Sequence, residues 1–122
     1  MAADRLLVVE DEPAMLGVLQ DILEAEGYEV YAAANGVEAL EILKQKPIPD
    51  LIISDVMMPR MDGFELLRRV RRVDAWVNIP FMFLTARSEP SDMVSGMTLG
   101  ADDYIPKPFE YAELTRVVAA RL

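Results

Sequence analysis

Five short apolar runs, each followed by a longer stretch of helical period, leave this chain few ways to fold. The first run, Leu6 to Val9, ends in the acids Glu10, Asp11 and Glu12. Pro13 suits a first helical turn, where a missing N–H costs nothing. Met15, Leu16, Val18, Leu19, Ile22 and Leu23 give that helix an apolar stripe, and Gly27 stops it. Tyr28 to Ala33 reads as a second strand. Asn35-Gly36 turns into a helix carrying Val37, Leu40, Ile42 and Leu43, closed off by Pro47 and Pro49. Leu51 to Ser54 is a third strand, followed by a helix through Phe64, Leu66, Leu67 and Val70. Ile79 to Leu84 is a fourth, uniformly apolar as expected where both sheet faces are covered. A helix thin in apolar residues runs from about Pro90 to Leu99, and Gly100 ends it. Tyr104-Ile105 is a very short fifth strand, and Glu110 to Leu122 a last helix with Leu114, Val117 and Val118 inward.

This strict alternation argues for an α/β fold with a parallel sheet and helices on both faces. A length of 122 residues suits one domain. No repeat, linker or low-complexity tract interrupts it, so residues 1–122 are expected to form a single domain with no output domain in this chain.

Composition then removes whole classes of chemistry. There is no cysteine and no histidine, which excludes disulfides, thiolate or imidazole metal sites, and Cys- or His-based catalysis. A net charge of −9 disfavours direct binding of a nucleic-acid backbone, which needs a positive surface. No signal peptide or run long enough for a membrane span is legible. A cytoplasmic address without membrane contact is the expectation.

In an open parallel sheet, ligands bind outside the carboxyl ends of the strands. Those ends carry Glu10 and Asp11 after strand one, Asp55 after strand three, Thr85 after strand four and Lys107 after strand five. An aspartate after a strand can merely satisfy loop donors, and acids before a helix can merely face its N-terminal dipole. Together, however, three carboxylates about 4 to 5 Å apart would repel by roughly 3 to 4 kcal/mol per pair at an effective dielectric of about 20. A hard divalent cation relieves that, and Mg²⁺ suits one or two carboxylates plus a phosphoryl group. A lysine supplies a positive point charge and a threonine hydroxyl one donor. The set suits phosphoryl transfer onto Asp55.

The segments LLVVEDEP, LIISDVMMPRMDG, FLTA and ADDYIPKPF fall in order on these strand ends, with Asp55, Thr85 and Lys107 thirty and then twenty-two residues apart. On these motifs, from about Arg5 to Leu122, the chain resembles the receiver domain of two-component response regulators. The resemblance implies a flavodoxin-like (βα)5 fold with strand order 2-1-3-4-5. It implies that Asp55 accepts a phosphoryl group from a sensor histidine kinase or a histidine phosphotransfer protein. Asp11, Asp55 and the Met57 backbone carbonyl would ligate Mg²⁺ (Mn²⁺ is an alternative), and Glu10 would hold a metal-bound water. Lys107 would pair with the acceptor and then with the phosphoryl group, and Lys107-Pro108 would be a cis peptide. Thr85 and Tyr104 would form a switch in which the tyrosine ring turns inward, read out on the face of the fourth helix, fifth strand and fifth helix. Met57 and Arg87 occupy positions that tune phosphoryl lifetime. Pro59 and Asp62-Gly63 shape the loop into the third helix.

The role so implied is regulatory, not that of a turnover enzyme. ADDY and KPF-x-x-x-EL are similar to the winged-helix transcription-factor branch, whose members dimerise through that same readout face. Asp103 and Glu113 match its charges, whereas Val117 and Ala119 replace basic residues, so a homodimer stays open. A phosphorylation-independent pseudo-receiver is the alternative. A dehalogenase-type phosphatase would want an aspartate at Met57, and a flavin-phosphate module would want a Ser/Thr/Gly-rich loop where EDEP stands. The basic run Arg68, Arg69, Arg71 and Arg72 reads as a solvated helix face.

Overall fold

The structure, a computed structural model, describes residues 3–86 and 90–122. Its elements alternate throughout: β1 (Arg5–Val9), α1 (Pro13–Ala25), β2 (Glu29–Ala33), α2 (Gly36–Gln45), β3 (Leu51–Ser54), α3 (Gly63–Arg71), β4 (Phe81–Thr85), α4 (Pro90–Thr98), β5 (Asp103–Pro106) and α5 (Tyr111–Arg121). The strands form one sheet in the order β2-β1-β3-β4-β5, and all four pairings are parallel. The expected doubly wound fold is therefore the one observed.

Successive strand residues point to opposite faces, and this splits the interior into two cores. Leu7, Val9, Ile52, Phe81, Phe83 and Tyr104 meet residues of α2 and α3 on one side. Leu6, Val8, Leu51, Ile53, Met82, Leu84 and Ile105 meet Leu19 and Leu23 of α1 and Leu114 and Val118 of α5 on the other. Every residue of β3 and β4 is buried, which is why those segments carry no polar alternation.

Local chemistry sets the helix starts. Asn35 accepts a hydrogen bond from the Glu38 N–H (2.9 Å), and Asp62 accepts one from the Glu65 N–H (2.8 Å). Each is a side-chain N-cap with a glutamate at the third helical position. Pro13 opens α1 as expected.

Several boundaries differ from the sequence reading, each for a local reason. β4 starts at Phe81, not Ile79: Pro80 has no N–H, and the Ile79 N–H is used in a turn to the Trp76 carbonyl (3.1 Å). β2 starts at Glu29, because the Tyr28 N–H still closes the end of α1 onto the Leu23 carbonyl. β5 is longer than two residues, since Asp103 and Pro106 also pair with β4. Val18 faces solvent, whereas the small Ala39 is fully buried in α2.

Candidate functional site

The site is built by backbone ladders that run one residue past the strands. The Glu10 N–H reaches the Ala33 carbonyl (3.0 Å) and the Asp55 N–H reaches the Val9 carbonyl (3.0 Å). The Lys107 N–H reaches the Thr85 carbonyl (2.8 Å). Strands β2, β1 and β4 thus fix the first residue of the loops that follow β1, β3 and β5.

Carboxylate oxygens of Glu10, Asp11 and Asp55 all lie within 4.8 Å of one another. Glu10 and Asp55 are buried and Asp11 is exposed, so the cluster opens to solvent on one side. Lys107 reaches in from the loop after β5. Its ammonium donates to Asp55 Oδ2 at 3.0 Å and makes a short contact with Glu10 Oε1. Asp55 Oδ1 accepts the Val56 N–H (2.6 Å) and the Met57 N–H (3.3 Å). Both oxygens of this carboxylate are therefore held by donors. Glu10 Oε2 also accepts the Glu12 N–H (3.1 Å), so the acid assists the start of α1 as well as pairing with Lys107.

The electrostatics follow from burial against pairing. Burial works to lower the Lys107 pKa, but the hydrogen bonds to Glu10 and Asp55 outweigh it and leave the value raised. Burial is the larger influence on Glu10, whose pKa ends up raised although Lys107 pulls the other way. The lysine is the firmly charged member of the pair. An all-oxygen set of three carboxylates with one open side fits a hard divalent cation. One lysine charge among three acids leaves the cluster anionic, which is the condition such a cation relieves.

Thr85 ends β4 and is fully buried, beside Pro106 in the β4–β5 register. Tyr104 pairs with Phe83 in that register, and its ring already lies inward against Phe83, with centroids 5.7 Å apart. The ring is largely buried in this conformation. Met57 places its backbone beside the Asp55 carboxylate while its side chain is 60% exposed. The Lys107-Pro108 peptide is cis. Arg87 lies outside the described residues.

Two supporting residues make contacts that the sequence does not show. Ser54 is buried and its hydroxyl donates to the Asp55 carbonyl (2.8 Å). Gly63 packs so tightly that a Cβ there would sit 2.1 Å from the same carbonyl oxygen. The Asp-Gly pair is legible as a turn, but the approach of α3 to the Asp55 backbone is visible only in three dimensions.

The family model of the response regulator receiver domain matches residues 6–119. The chain belongs to that family. This receiver is 47% identical over 118 residues to the phosphate regulon transcriptional regulatory protein PhoB of Rhizobium meliloti, spanning 97% of this chain and 52% of that protein. It is 46% identical over 110 residues to the transcriptional regulatory protein TrcR of Mycobacterium tuberculosis, spanning 90% and 42%. The chain thus spans about half the length of the curated relatives it matches. Among solved structures, it superposes on the chemotaxis response regulator CheY4 of Vibrio cholerae with a TM-score of 0.93 at 34% identity, covering 99% of this receiver and 100% of that chain. Among the described residues, no helix is long and apolar enough to cross a membrane.

Proposed function

We propose that this receiver is a phosphoryl-accepting switch, with Asp55 as the acceptor. The donor is a phosphohistidine on a sensor histidine kinase or histidine phosphotransfer protein. The observation that carries this reading is the convergence of Lys107 on a buried aspartate that shares its strand-end rim with Glu10 and Asp11. An Asp55 carboxylate oxygen attacks phosphorus, forming an O–P bond. The N–P bond to the donor imidazole breaks, and that nitrogen leaves with the electron pair and takes up a proton. The product is an acyl phosphate on Asp55.

Asp11, Asp55 and the Met57 carbonyl would hold Mg²⁺ (or Mn²⁺), with Glu10 acting through a water. The ion would supply charge neutralisation for the transferring oxygens. Lys107, already charged and hydrogen-bonded to Asp55, stabilises the negative charge that builds on the phosphoryl group. The Val56 and Met57 amides hold the carboxylate in one orientation, so little reorganisation accompanies attack.

Output is a population shift. Contacts that only the phosphorylated state makes draw Thr85 towards Asp55 and favour the inward Tyr104 ring, biasing the α4–β5–α5 face for an output domain or partner. The Tyr104 ring packed on Phe83 (5.7 Å) supports this reading, because it places the ring beside the sheet residue the switch would use. The exposed Met57 side chain cannot orient an attacking water, so the acyl phosphate decays slowly on its own. The chain thus acts as a regulator and turns over no external substrate.

The test is intact-mass measurement after incubation with Mg²⁺ and acetyl phosphate. The wild-type chain gains one phosphoryl group, and Asp55→Ala does not. No adduct at any Mg²⁺ concentration would instead make this a receiver that signals without phosphorylation.

A further inference from the structure

Helix α3 carries three arginines and a fourth, Arg72, at its C-terminal cap, on a chain of net charge −9, and the structure divides their work. Arg71 turns inward, donating to the Ile79 carbonyl (2.7 Å) and the Gly100 carbonyl (3.0 Å). Arg69 and Arg72 line the side facing α2. There, with Leu40, Lys44, Val73 and Trp76, they enclose a groove of about 360 Å³. Lys44 stands on α2, Arg69 on α3 and Arg72 at the α3 C-terminal cap, so both walls carry cations over an apolar lining. Arg69 shares Glu65 (3.0 Å) and Lys44 shares Glu41 (3.7 Å), whereas Arg72 has no carboxylate partner among the described residues. Asp74 is the remaining acid nearby in sequence.

We propose that this groove docks an acidic amphipathic helix of a partner protein. One bulky apolar side chain would pack against Leu40, Val73 and Trp76, with carboxylates meeting Lys44, Arg69 and Arg72. The chemistry asks for apolar surface and negative charge in one ligand. Arg69 and Arg72 lie one turn apart, about 4.5 Å along the axis, the spacing at which a facing helix presents acids at i and i+3 or i+4. A row of charges along an open groove suits such a segment better than one compact anion, and helix-in-groove docking needs the apolar anchor as well. A nucleic-acid backbone lacks that anchor and meets the repulsion of the whole chain. Screening over about 8 to 10 Å weakens the repulsion from acids elsewhere on the chain, while Glu65 and Glu41 share Arg69 and Lys44 and leave Arg72 without a carboxylate partner among the described residues.

The groove lies towards the far end of α3 from Gly63, roughly 13 Å along the helix axis. The proposal therefore stands independently of phosphorylation at Asp55.

Trp76 is the single tryptophan of the sequence, so its fluorescence reports occupancy directly. The probe is a synthetic helical peptide with Leu at i, i+4 and i+7 and Glu on both flanks, titrated into the full chain. Its twin carries Gln for every Glu. Saturable emission change with the acidic peptide is expected, weakened at least about tenfold (~1.4 kcal/mol) by the Gln twin or by Arg69→Glu/Arg72→Glu. Lys44→Glu, on the opposite wall, should weaken it in the same direction. The proposal is overturned if the acidic peptide gives no saturable change or both peptides bind alike. It is equally overturned if charge reversal on either wall leaves binding unchanged, or if a single-stranded oligonucleotide competes as well as the acidic peptide.

Discussion

Helices α3 and α4 have nine residues each and lie against the same face of the sheet, yet the interior holds them very differently. α3 buries Gly63, Phe64, Leu66, Leu67 and Val70, and Phe64 meets Phe83 edge-on at 5.3 Å. α4 buries only Gly96 and leaves Met93, Val94 and Met97 in solvent, Val94 at 64% exposure. One helix is a fixed wall of the Asp55 loop, and the other rests on the Phe83 and Tyr104 rings through a single glycine. Elements that move in signalling are drawn from the weakly held end of a structure. The contrast gives the proposed switch its mobile part and its anchor.

The hardest test of the anchor is Gly63→Ala. A Cβ would lie 2.1 Å from a backbone oxygen, which cannot yield as a flexible side chain could. A loss of about 3 kcal/mol or more is expected by urea unfolding. A loss under about 1 kcal/mol would mean that α3 is not pinned to the Asp55 backbone.

Next in size is a matched pair of truncations. Leu67→Ala, on a fully buried residue of α3, should cost roughly 2 to 5 kcal/mol. Val94→Ala on α4 should stay within about 0.5 kcal/mol. Similar costs for the two would erase the comparison.

Gly96→Ala probes the loose helix at its one close contact. The new Cβ would stand 3.2 Å from the Phe83 and Tyr104 rings, a crowding that a shift of α4 can absorb. Alanine also favours a helix by about 1 kcal/mol over glycine, so net stability should change by less than about 1 kcal/mol. Amide exchange in α4 and the Tyr104 ring resonances should nevertheless shift. Removing the ring with Tyr104→Ala should weaken the α4 response to the part that Phe83, also at 3.2 Å, carries. An α4 response unchanged without the ring would remove Tyr104 from the contact.

Much of this contrast is written in the residue pattern alone. Five apolar runs and their helical partners specify the order of elements, and the thin apolar content of Pro90 to Leu99 already marks α4 as weakly anchored. The rim of Glu10, Asp11, Asp55 and Lys107 follows from counting strand ends. The rest is set by contacts between distant residues. Whether Ala39 or Val37 faces the core depends on how α2 sits against its neighbours. The roles of Ser54 and Gly63 depend on the Asp55 carbonyl, and the Tyr104 ring position depends on Phe83. The arginine run reads in sequence as one solvated face. Only the fold shows Arg71 as an internal strut and Arg69 and Arg72 as one wall of a groove.

The smallest effect concerns surface charge on the anchored helix. Glu65 bonds both Arg69 (3.0 Å) and Arg68 (3.2 Å), and its pKa is lowered, chiefly by the Arg69 hydrogen bond. A carboxylate with a depressed folded-state pKa stabilises the fold above its unfolded value, about 4.3. That contribution disappears as pH falls through the lower folded-state value. Glu65→Gln should therefore lower the urea midpoint slightly at pH 7 and in low salt, with the difference closing below pH ~4 and in high salt. The pairs are exposed, so the shift should be smaller than any of the effects above. A midpoint difference that survives both acid and salt would assign Glu65 a packing role and remove electrostatics from what distinguishes α3.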